Sequence, residues 1–226
     1  MKEMVLYHGS AVEVSKPTLG VGNVHNDYGL GFYCTESPDL AAEWACGSQT
    51  AGVVNRYTID LRGLSVLDLE TDGFHILNWL VVLLENRQFE LSQPIPLQIK
   101  DYILHTFMPD YHGADVMIGY RADDSYFSFA KDFLTNAISL SQLQRVMRLG
   151  RLGRQVVLMS ASAFERLEFQ GSVQVDCSIW FQKRMERDRQ ARQRFTEMRQ
   201  EEPEADAVLA IDIMRNRWQN DDERLR

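Results

Sequence analysis

The sequence predicts an α+β fold: one main domain followed by a helical tail. Short runs rich in β-branched and aromatic residues are mixed with helical patterns, without the strict alternation that a parallel sheet requires. The chain has 226 residues, 45% of them hydrophobic and 25% charged, which is enough for one sizeable core. Its character changes to charge-rich after residue 180. We therefore expect a domain over residues 1–180 and a charged helical extension over residues 181–226.

Six short runs have the composition of β-strands. Their β-branched and aromatic residues are flanked by turn-forming residues, which is the usual strand pattern. The predicted strands cover residues 4–7, 53–59, 65–69, 115–120, 155–159 and 168–175.

Helical patterns lie between these runs. Residues 39–46 are predicted to form a helix with Ser37 as its N-cap and Pro38 at its first position. Residues 75–89 would place apolar side chains on nearly every face of a helix, which indicates a buried helix. Further helices are predicted over residues 96–107, 128–138, 141–149 and 160–167.

The tail is predicted to form one or two helices broken at Pro203. In the second helix, Val208, Ile211, Met214 and Trp218 recur near helical spacing and share roughly one face. Such a face suits a terminal helix that closes the core, an arm that binds a partner, or a frayed tail. The sequence leaves these three alternatives open.

The distribution of charge argues against sequence-independent binding to duplex nucleic acid. The net charge is −8, from 24 basic and 32 acidic residues, and residues 181–226 hold 11 of each sign. Residues 1–180 therefore carry 13 basic and 21 acidic residues, and an acidic body repels phosphodiester backbones.

The N-terminal residues and the cysteines favour a cytoplasmic location with no membrane partner. The first ten residues contain no apolar run typical of secretory signals, and the longest apolar stretch, at residues 77–84, is much shorter than a membrane span. Cys34, Cys46 and Cys177 have no metal-ligand spacing, and an odd number cannot all pair within one chain. We therefore expect reduced cysteines in a reducing compartment.

Two segments carry the residues that are best suited to ligand binding or catalysis. The first predicted strand ends in His8 followed by Gly9, a residue that allows close approach to the backbone. The segment DYGLGFYCT at residues 27–35 is glycine-rich, but it lacks the fingerprints of both nucleotide-binding loops. The histidines have no metal-ligand spacing, which argues against a metal hydrolase and predicts no metal site. Each segment alone is compatible with a purely structural role.

Taken together, the motifs resemble a known enzyme family. YHGS at residues 7–10 precedes the turn DYGLGFYCT, and Trp44 lies eleven residues after Tyr33. The strand RQVVLMS at residues 154–160 is then followed by FERLEF at residues 164–169. This order is similar to that of the histidine-tyrosine-glutamate branch of ADP-ribosyltransferases. In that branch an acidic residue begins the third strand, at the position that Gln155 holds here.

The resemblance is closer to a bacterial family of ADP-ribosyltransferase-like proteins, known as a domain of unknown function and often encoded beside a small antitoxin-like protein. Further shared motifs are an Ala-x-x-Trp-Ala helix, Asn86-Arg87, the D-V-x-I-G-x-x-A-D-D segment at residues 115–124, and the Gln-Val-Val strand. The likeness extends over residues 4–170. It implies the split β-sheet core of ADP-ribosyltransferases, with flanking helices.

The resemblance implies that NAD is the substrate and assigns roles to individual residues. His8 binds a ribose hydroxyl, the backbone of Gly9 binds the nicotinamide carboxamide, and Tyr33 and Trp44 hold the nicotinamide ring. The bond between nicotinamide and ribose then breaks through a transition state with oxocarbenium character. An acceptor macromolecule of unknown identity receives the ADP-ribose, and no metal takes part.

Two departures from the family pattern affect these roles. Gln155 is neutral and cannot oppose a developing positive charge, so we expect weak catalysis or a substitute acid from Asp123 or Asp124. Ala41 stands where related enzymes often place a serine against the carboxamide. Thr35 or Ser10 is the expected substitute for that hydrogen bond.

Three functional hypotheses follow. The leading one is an NAD-dependent ADP-ribosyltransferase, the toxin of a toxin-antitoxin pair with a small antitoxin-like partner. The second is a catalytically degenerate protein that binds NAD, ADP-ribose or a protein partner without turnover. The third is an NAD glycohydrolase that uses water as the acceptor.

Overall fold

The computed structural model describes residues 3–47, 51–88, 90–121, 124–147, 153–201, 204 and 206–226. Over these residues the chain has a seven-stranded mixed sheet and eight α-helices, which confirms the predicted α+β class. No helix in these ranges combines the length and the apolar character needed to cross a membrane.

The sheet contains all six predicted strands and one that was not predicted. Its strands are β1 (Glu3–Ser10), β2 (Phe32–Thr35), β3 (Ala51–Asp60), β4 (Val66–Asp68), β5 (Val116–Tyr120), β6 (Arg154–Leu158) and β7 (Leu167–Asp176). Their spatial order is β4-β5-β6-β2-β1-β3-β7, and every neighbouring pair is antiparallel except β4 and β5. The unpredicted strand is β2, in the segment that the sequence predicts as a turn. At four residues it is too short to show an alternating pattern.

The helices also follow the prediction, with ends shifted by up to four residues, except that the last helix of the tail is shorter than predicted and excludes Val208 and Trp218. They are α1 (Pro38–Ala45), α2 (Ile76–Asn86), α3 (Pro94–Phe107), α4 (Asp124–Leu134), α5 (Leu140–Val146), α6 (Ala161–Glu165), α7 (Cys177–Arg199) and α8 (Ala210–Arg215). The Ser37 cap is confirmed, because its hydroxyl accepts a hydrogen bond from the backbone N–H of Leu40 at 3.3 Å. The prediction that the second helix is buried is also confirmed, since its first nine residues are all buried.

Both faces of the sheet are covered by apolar side chains. On β5, Met117 packs with α2 to α5, whereas its neighbours Val116 and Ile118 pack on the opposite face. On β6, Val157 faces the helices while Val156 and Leu158 face away. This alternation is the period of two that a β-strand imposes. The central strands are therefore held rigidly between two apolar layers.

The tail packs on the body of the protein. The helix α7 follows β7 directly and begins four residues before the predicted boundary at residue 181. Residues of the tail that join the main core cluster are Phe195, Met198, Ala210, Ile213, Trp218 and Leu225. Of the alternatives left open by the sequence, these contacts favour a terminal segment that closes the core.

The expectation of reduced cysteines was wrong for two of the three. Cys46 and Cys177 form a disulfide across a separation of 131 residues, while Cys34 is buried and free. The bond forms because the start of α7 packs beside the end of α1, a contact that cysteine spacing could not reveal. The ion pair between Glu43 of α1 and Arg187 of α7 joins the same two helices.

Candidate functional site

A cleft of about 490 Å³ opens at the end of β1. This volume lies within the range of sites for small ligands, about 300–1,000 Å³. One wall comes from the sheet and from α1, and a second comes from the long connection between β1 and β2. The lining residues are His8, Gly9, Val14, Pro17, Thr18, Val21, Gly22, Asn26, Asp27, Gly31, Phe32, Tyr33, Trp44, Arg87, Arg121 and Gln155.

Three neighbouring strands bring the predicted site residues together. The strands β1, β2 and β6 are adjacent in the sheet, and they carry His8, Tyr33 and Gln155 respectively. Gly9 and Trp44 line the same cleft, so five predicted residues from four segments of the sequence share one cavity.

Two other predicted site residues, Ser10 and Thr35, are not among the described residues that line the cleft. The hydroxyl of Ser10 donates to the carbonyl of Val12 at 2.5 Å, and the hydroxyl of Thr35 accepts from the N–H of Ser37 at 3.2 Å. Both hydroxyls therefore have protein partners. Asp123 lies outside the described residues; Asp124 begins α4, but its side chain is outside the described part.

The hydrogen bonding of His8 fixes which ring nitrogen faces a ligand. Its Nδ1 lies 2.7 Å from the carbonyl oxygen of Tyr33, which can only accept, so Nδ1 carries the proton. In the neutral ring Nε2 is then a hydrogen-bond acceptor. Burial lowers the pKa of His8 below its usual 6.5, and the bond to Tyr33 opposes this only in part. The ring is therefore neutral at pH 7.

Gly9 is needed because a helix passes directly over it. A Cβ atom at this position would lie 2.0 Å from the carbonyl oxygen of Ala41 and 2.6 Å from the backbone nitrogen of Ala45. The close approach that the sequence suggested for a ligand is thus made by the α1 backbone. This contact places α1, and with it Trp44, at the edge of the cleft.

The turn before β2 fixes the side chain of Tyr33. The phenol donates to the carbonyl of Gly29 at 2.6 Å and accepts from the N–H of Tyr28 at 3.1 Å. Gly29 has φ +77°, in the left-handed region that favours glycine. Burial raises the pKa of Tyr33 well above its usual value of 10. The hydroxyl therefore anchors the turn and is poorly suited to move a proton.

Gln155 contributes a polar atom that has no hydrogen-bond partner among the described residues. It is 6% exposed and lies on β6, between Thr35 of β2 and Gly119 of β5. Its Oε1 is buried and accepts no hydrogen bond from the part of the chain that the structure describes. Buried polar atoms are almost always paired, and leaving one unpaired is costly. An unpartnered oxygen that lines a cleft points to a ligand with a donor group.

An ion pair that the sequence analysis missed forms part of the cleft wall. Asp27 is 5% exposed, and its Oδ1 lies 2.8 Å from Nε and 2.7 Å from Nη2 of Arg87. It is the only carboxylate among the described residues that line the cleft. Both residues stand in motifs that the sequence shows, but their pairing across 60 positions could not be predicted from spacing.

Asn55 is a further residue that the sequence analysis missed. It is fully buried on β3, opposite His8, and its Nδ2 donates to the carbonyl of His8 at 3.2 Å and to Oγ of Ser10 at 2.9 Å. Its Oδ1 accepts from the N–H of Val14 at 2.8 Å. Asn55 therefore holds the end of β1 together with the segment that forms the second wall. Asn55 stands next to Arg56 in the predicted strand, so its polarity alone gave no signal of this role.

Trp44 and Arg121 meet inside the cleft. The guanidinium carbon of Arg121 lies 4.0 Å from the centroid of the Trp44 ring, within the range of a cation–π interaction. The Nε1 of Trp44 is buried and has no hydrogen-bond partner among the described residues. Trp44 thus presents an aromatic surface that the side chain of Arg121 covers.

Comparison with known proteins gives one result at the level of the family. No curated protein and no solved structure matches the chain. A family model described as "Protein of unknown function (DUF3990)" matches residues 4–169, close to the range over which the sequence motifs extend. This range covers well over half of the chain, so the protein belongs to the DUF3990 family of proteins of unknown function.

Proposed function

We propose that the cleft binds NAD and that the protein is an NAD-dependent ADP-ribosyltransferase. One observation carries this proposal: three adjacent strands bring His8, Tyr33 and Gln155 to one cleft. These positions are the ones at which the motifs resemble ADP-ribosyltransferases. The further role as a toxin with a small antitoxin-like partner rests on that resemblance alone.

The hydrogen-bonding groups of the cleft suit a sugar. Nε2 of neutral His8 and Oε1 of Gln155 are both acceptors, and both belong to residues that line the cleft. Two acceptors require a ligand that supplies donors, and the hydroxyl groups of a ribose do so. The aromatic ring of Tyr33, which also lines the cleft, offers a surface for a planar ring beside the sugar.

The charges of the cleft suit a ligand that carries phosphates. Arg87 and Arg121 line it together with a single described carboxylate, that of Asp27, so the described lining has a net positive charge. Guanidinium groups bind phosphate oxygens with good geometry.

The residues present can orient NAD, but they oppose the developing oxocarbenium charge weakly. Gln155 is neutral, and the carboxylate of Asp27 is already paired with Arg87. A well-placed negative charge in a dry site contributes roughly a hundredfold in rate. We propose that Asp123 or Asp124 supplies it. The segment that contains them follows β5, whose Gly119 pairs with Gln155 on β6.

The neutral Gln155 favours a second candidate function. A protein with this cleft that lacked a catalytic acid would bind NAD or ADP-ribose without turnover. An NAD glycohydrolase differs from the transferase only in the acceptor, which would be water.

Incubation with NAD labelled on its adenylate half tests these alternatives. For a transferase, we expect released nicotinamide and label on a macromolecule from cell lysate, with both lost in His8→Ala. Free ADP-ribose without a labelled acceptor would identify a glycohydrolase, and binding without nicotinamide release would support the second candidate. A folded sample that neither binds nor cleaves NAD, and does not bind ADP-ribose, would contradict all three. Replacing both Asp123 and Asp124 by Asn tests the proposed source of the acid.

A further inference from the structure

A second cavity, of about 420 Å³, lies beyond the ends of the parallel strands β4 and β5. Its volume is also in the range of small-ligand sites. The connection from β4 to α2 forms much of its wall, with contributions from β5, α5 and the tail. The described lining residues are Leu69, Glu70, Thr71, Asp72, Phe74, His75, Ile76, Tyr120, Gln144 and Arg226. None of them lines the cleft, so the cavity is a separate candidate site.

The cavity presents charges of opposite sign that do not pair with each other. Arg226 and Asp72 both line it, and both are exposed. Neither side chain forms an ion pair within the described part of the chain. Glu70 is a second carboxylate of the lining, and its Oε2 lies 3.3 Å from Nε of Arg154. One positive and one negative charge are therefore left for a ligand.

The N-terminus of α2 favours an anionic group at one end of the cavity. The helix begins at Ile76, which lines the cavity, and the first N–H groups of a helix have no acceptor within it. These groups and the helix dipole together attract an anion. The guanidinium of Arg226, on the same cavity, adds a charged donor.

His75 is a buried polar residue at the same end of the cavity. It occupies the N-cap position of α2 and is 7% exposed. Both ring nitrogens are buried, and neither has a hydrogen-bond partner among the residues that the structure describes. Burial lowers the pKa of His75, and its neighbour Asn220 opposes this only in part, so the ring is neutral at pH 7. Its unpaired donor and acceptor point to a ligand that supplies both kinds of group.

We propose that this cavity binds a free α-amino acid. Its carboxylate lies at the N-terminus of α2 beside Arg226, its ammonium group faces Asp72, and His75 hydrogen-bonds to it. The inference goes beyond the proposed function, because it assigns a second ligand to a site outside the NAD cleft.

The rest of the lining distinguishes this class of ligand from others. Leu69, Phe74 and Ile76 supply apolar surface, which suits an apolar side chain. A phosphate-bearing ligand is less suitable, because Glu70 and Asp72 place two carboxylates on the same cavity.

Calorimetric titration of the full chain with each of the standard amino acids tests the proposal. We expect at least one amino acid with an apolar side chain, such as L-leucine or L-phenylalanine, to bind. The amide of the tightest binder lacks the carboxylate, and the corresponding deaminated acid lacks the ammonium group. Each should bind roughly tenfold more weakly than the amino acid, because one charge-assisted contact is lost.

Variants assign the two charges of the ligand to residues. Arg226→Ala should weaken amino-acid binding roughly tenfold and leave binding of the amide unchanged, whereas Asp72→Asn should spare the deaminated acid. Arg194→Ala removes an exposed arginine of α7 and is the matched control, with no change expected. His75→Phe should fold, as thermal unfolding will show, and should weaken binding several-fold.

Each outcome supports or overturns the amino-acid site. Binding that falls in Arg226→Ala and in Asp72→Asn, but not in Arg194→Ala, supports it. A folded wild type that binds none of the amino acids would overturn it, and so would binding that survives both substitutions. Binding of inorganic phosphate without any amino acid would also overturn it. Titration with NAD reports on the cleft, so failure of the proposed function is observed separately.

Discussion

At the scale of single residues, the cleft depends on the absence of a Cβ atom at Gly9, which lets α1 pack directly on β1. A methyl group at this position would collide with the backbone of α1 at two points, and backbone cannot rotate away as a side chain can. The helix that carries Trp44 would have to shift. Gly9 is therefore a packing requirement of the site, whatever further contact its backbone makes with a ligand.

We expect Gly9→Ala to lower the free energy of unfolding by about 1–3 kcal/mol, the usual cost of overpacking. Chemical denaturation measures this change. The matched control is Gly113→Ala, because Gly113 has open space around it and no left-handed backbone. The control should stay within about 0.5 kcal/mol of the wild type. Equal stability of the two variants would show that α1 does not press on β1 as described.

The sequence predicted the residues of the cleft better than their partners. His8, Tyr33, Trp44 and Gln155 stand in recognisable motifs, and the structure places all four at one cavity. The contacts that hold them were not predictable. The bond from Asn55 to His8 and the pair of Asp27 with Arg87 join positions 47 and 60 residues apart. Such pairings depend on strand register and helix packing, which no local pattern contains.

At the scale of elements, α1 is joined to α7 by a covalent bond and an ion pair. The disulfide follows α1 directly at Cys46, two residues after Trp44, and begins α7 at Cys177. Arg187, ten residues after Cys177 on α7, pairs with the buried carboxylate of Glu43, three residues before Cys46. The tail therefore supports the helix that forms one edge of the cleft. The cysteine positions alone gave no reason to expect this.

We expect loss of the disulfide to destabilise the protein by about 2–5 kcal/mol, because the bond closes a long loop in the unfolded chain. Thermal unfolding with and without reductant measures the effect. The double variant Cys46→Ser with Cys177→Ser should match the reduced protein and be insensitive to reductant.

A thiol assay provides an independent check of the bond. Denatured, non-reduced protein should show a single reactive thiol, that of Cys34. Three reactive thiols, together with no effect of reductant on the unfolding temperature, would contradict the bond.

At the scale of the whole molecule, the sequence predicted the α+β class and most elements, since patterns of several residues fix strands and helices locally. It did not predict β2 or the way in which the tail closes the core. A four-residue strand is stabilised by its neighbours β1 and β6 rather than by its own composition. The buried face of α8 could be identified only once the core cluster that it packs against was known.

The central claim is that a ligand donates a hydrogen bond to Oε1 of Gln155, which has no partner in the part of the chain that the structure describes. Gln155→Leu has a similar volume and removes the buried polar atom, so stability should be unchanged or slightly increased. The affinity for NAD should nevertheless fall about tenfold.

Calorimetric titration of NAD into wild type and Gln155→Leu, with thermal unfolding of both, tests this claim most directly. We predict a stable variant with weakened NAD binding. A variant that binds NAD as tightly as the wild type, or a folded wild type that does not bind NAD, would contradict the account.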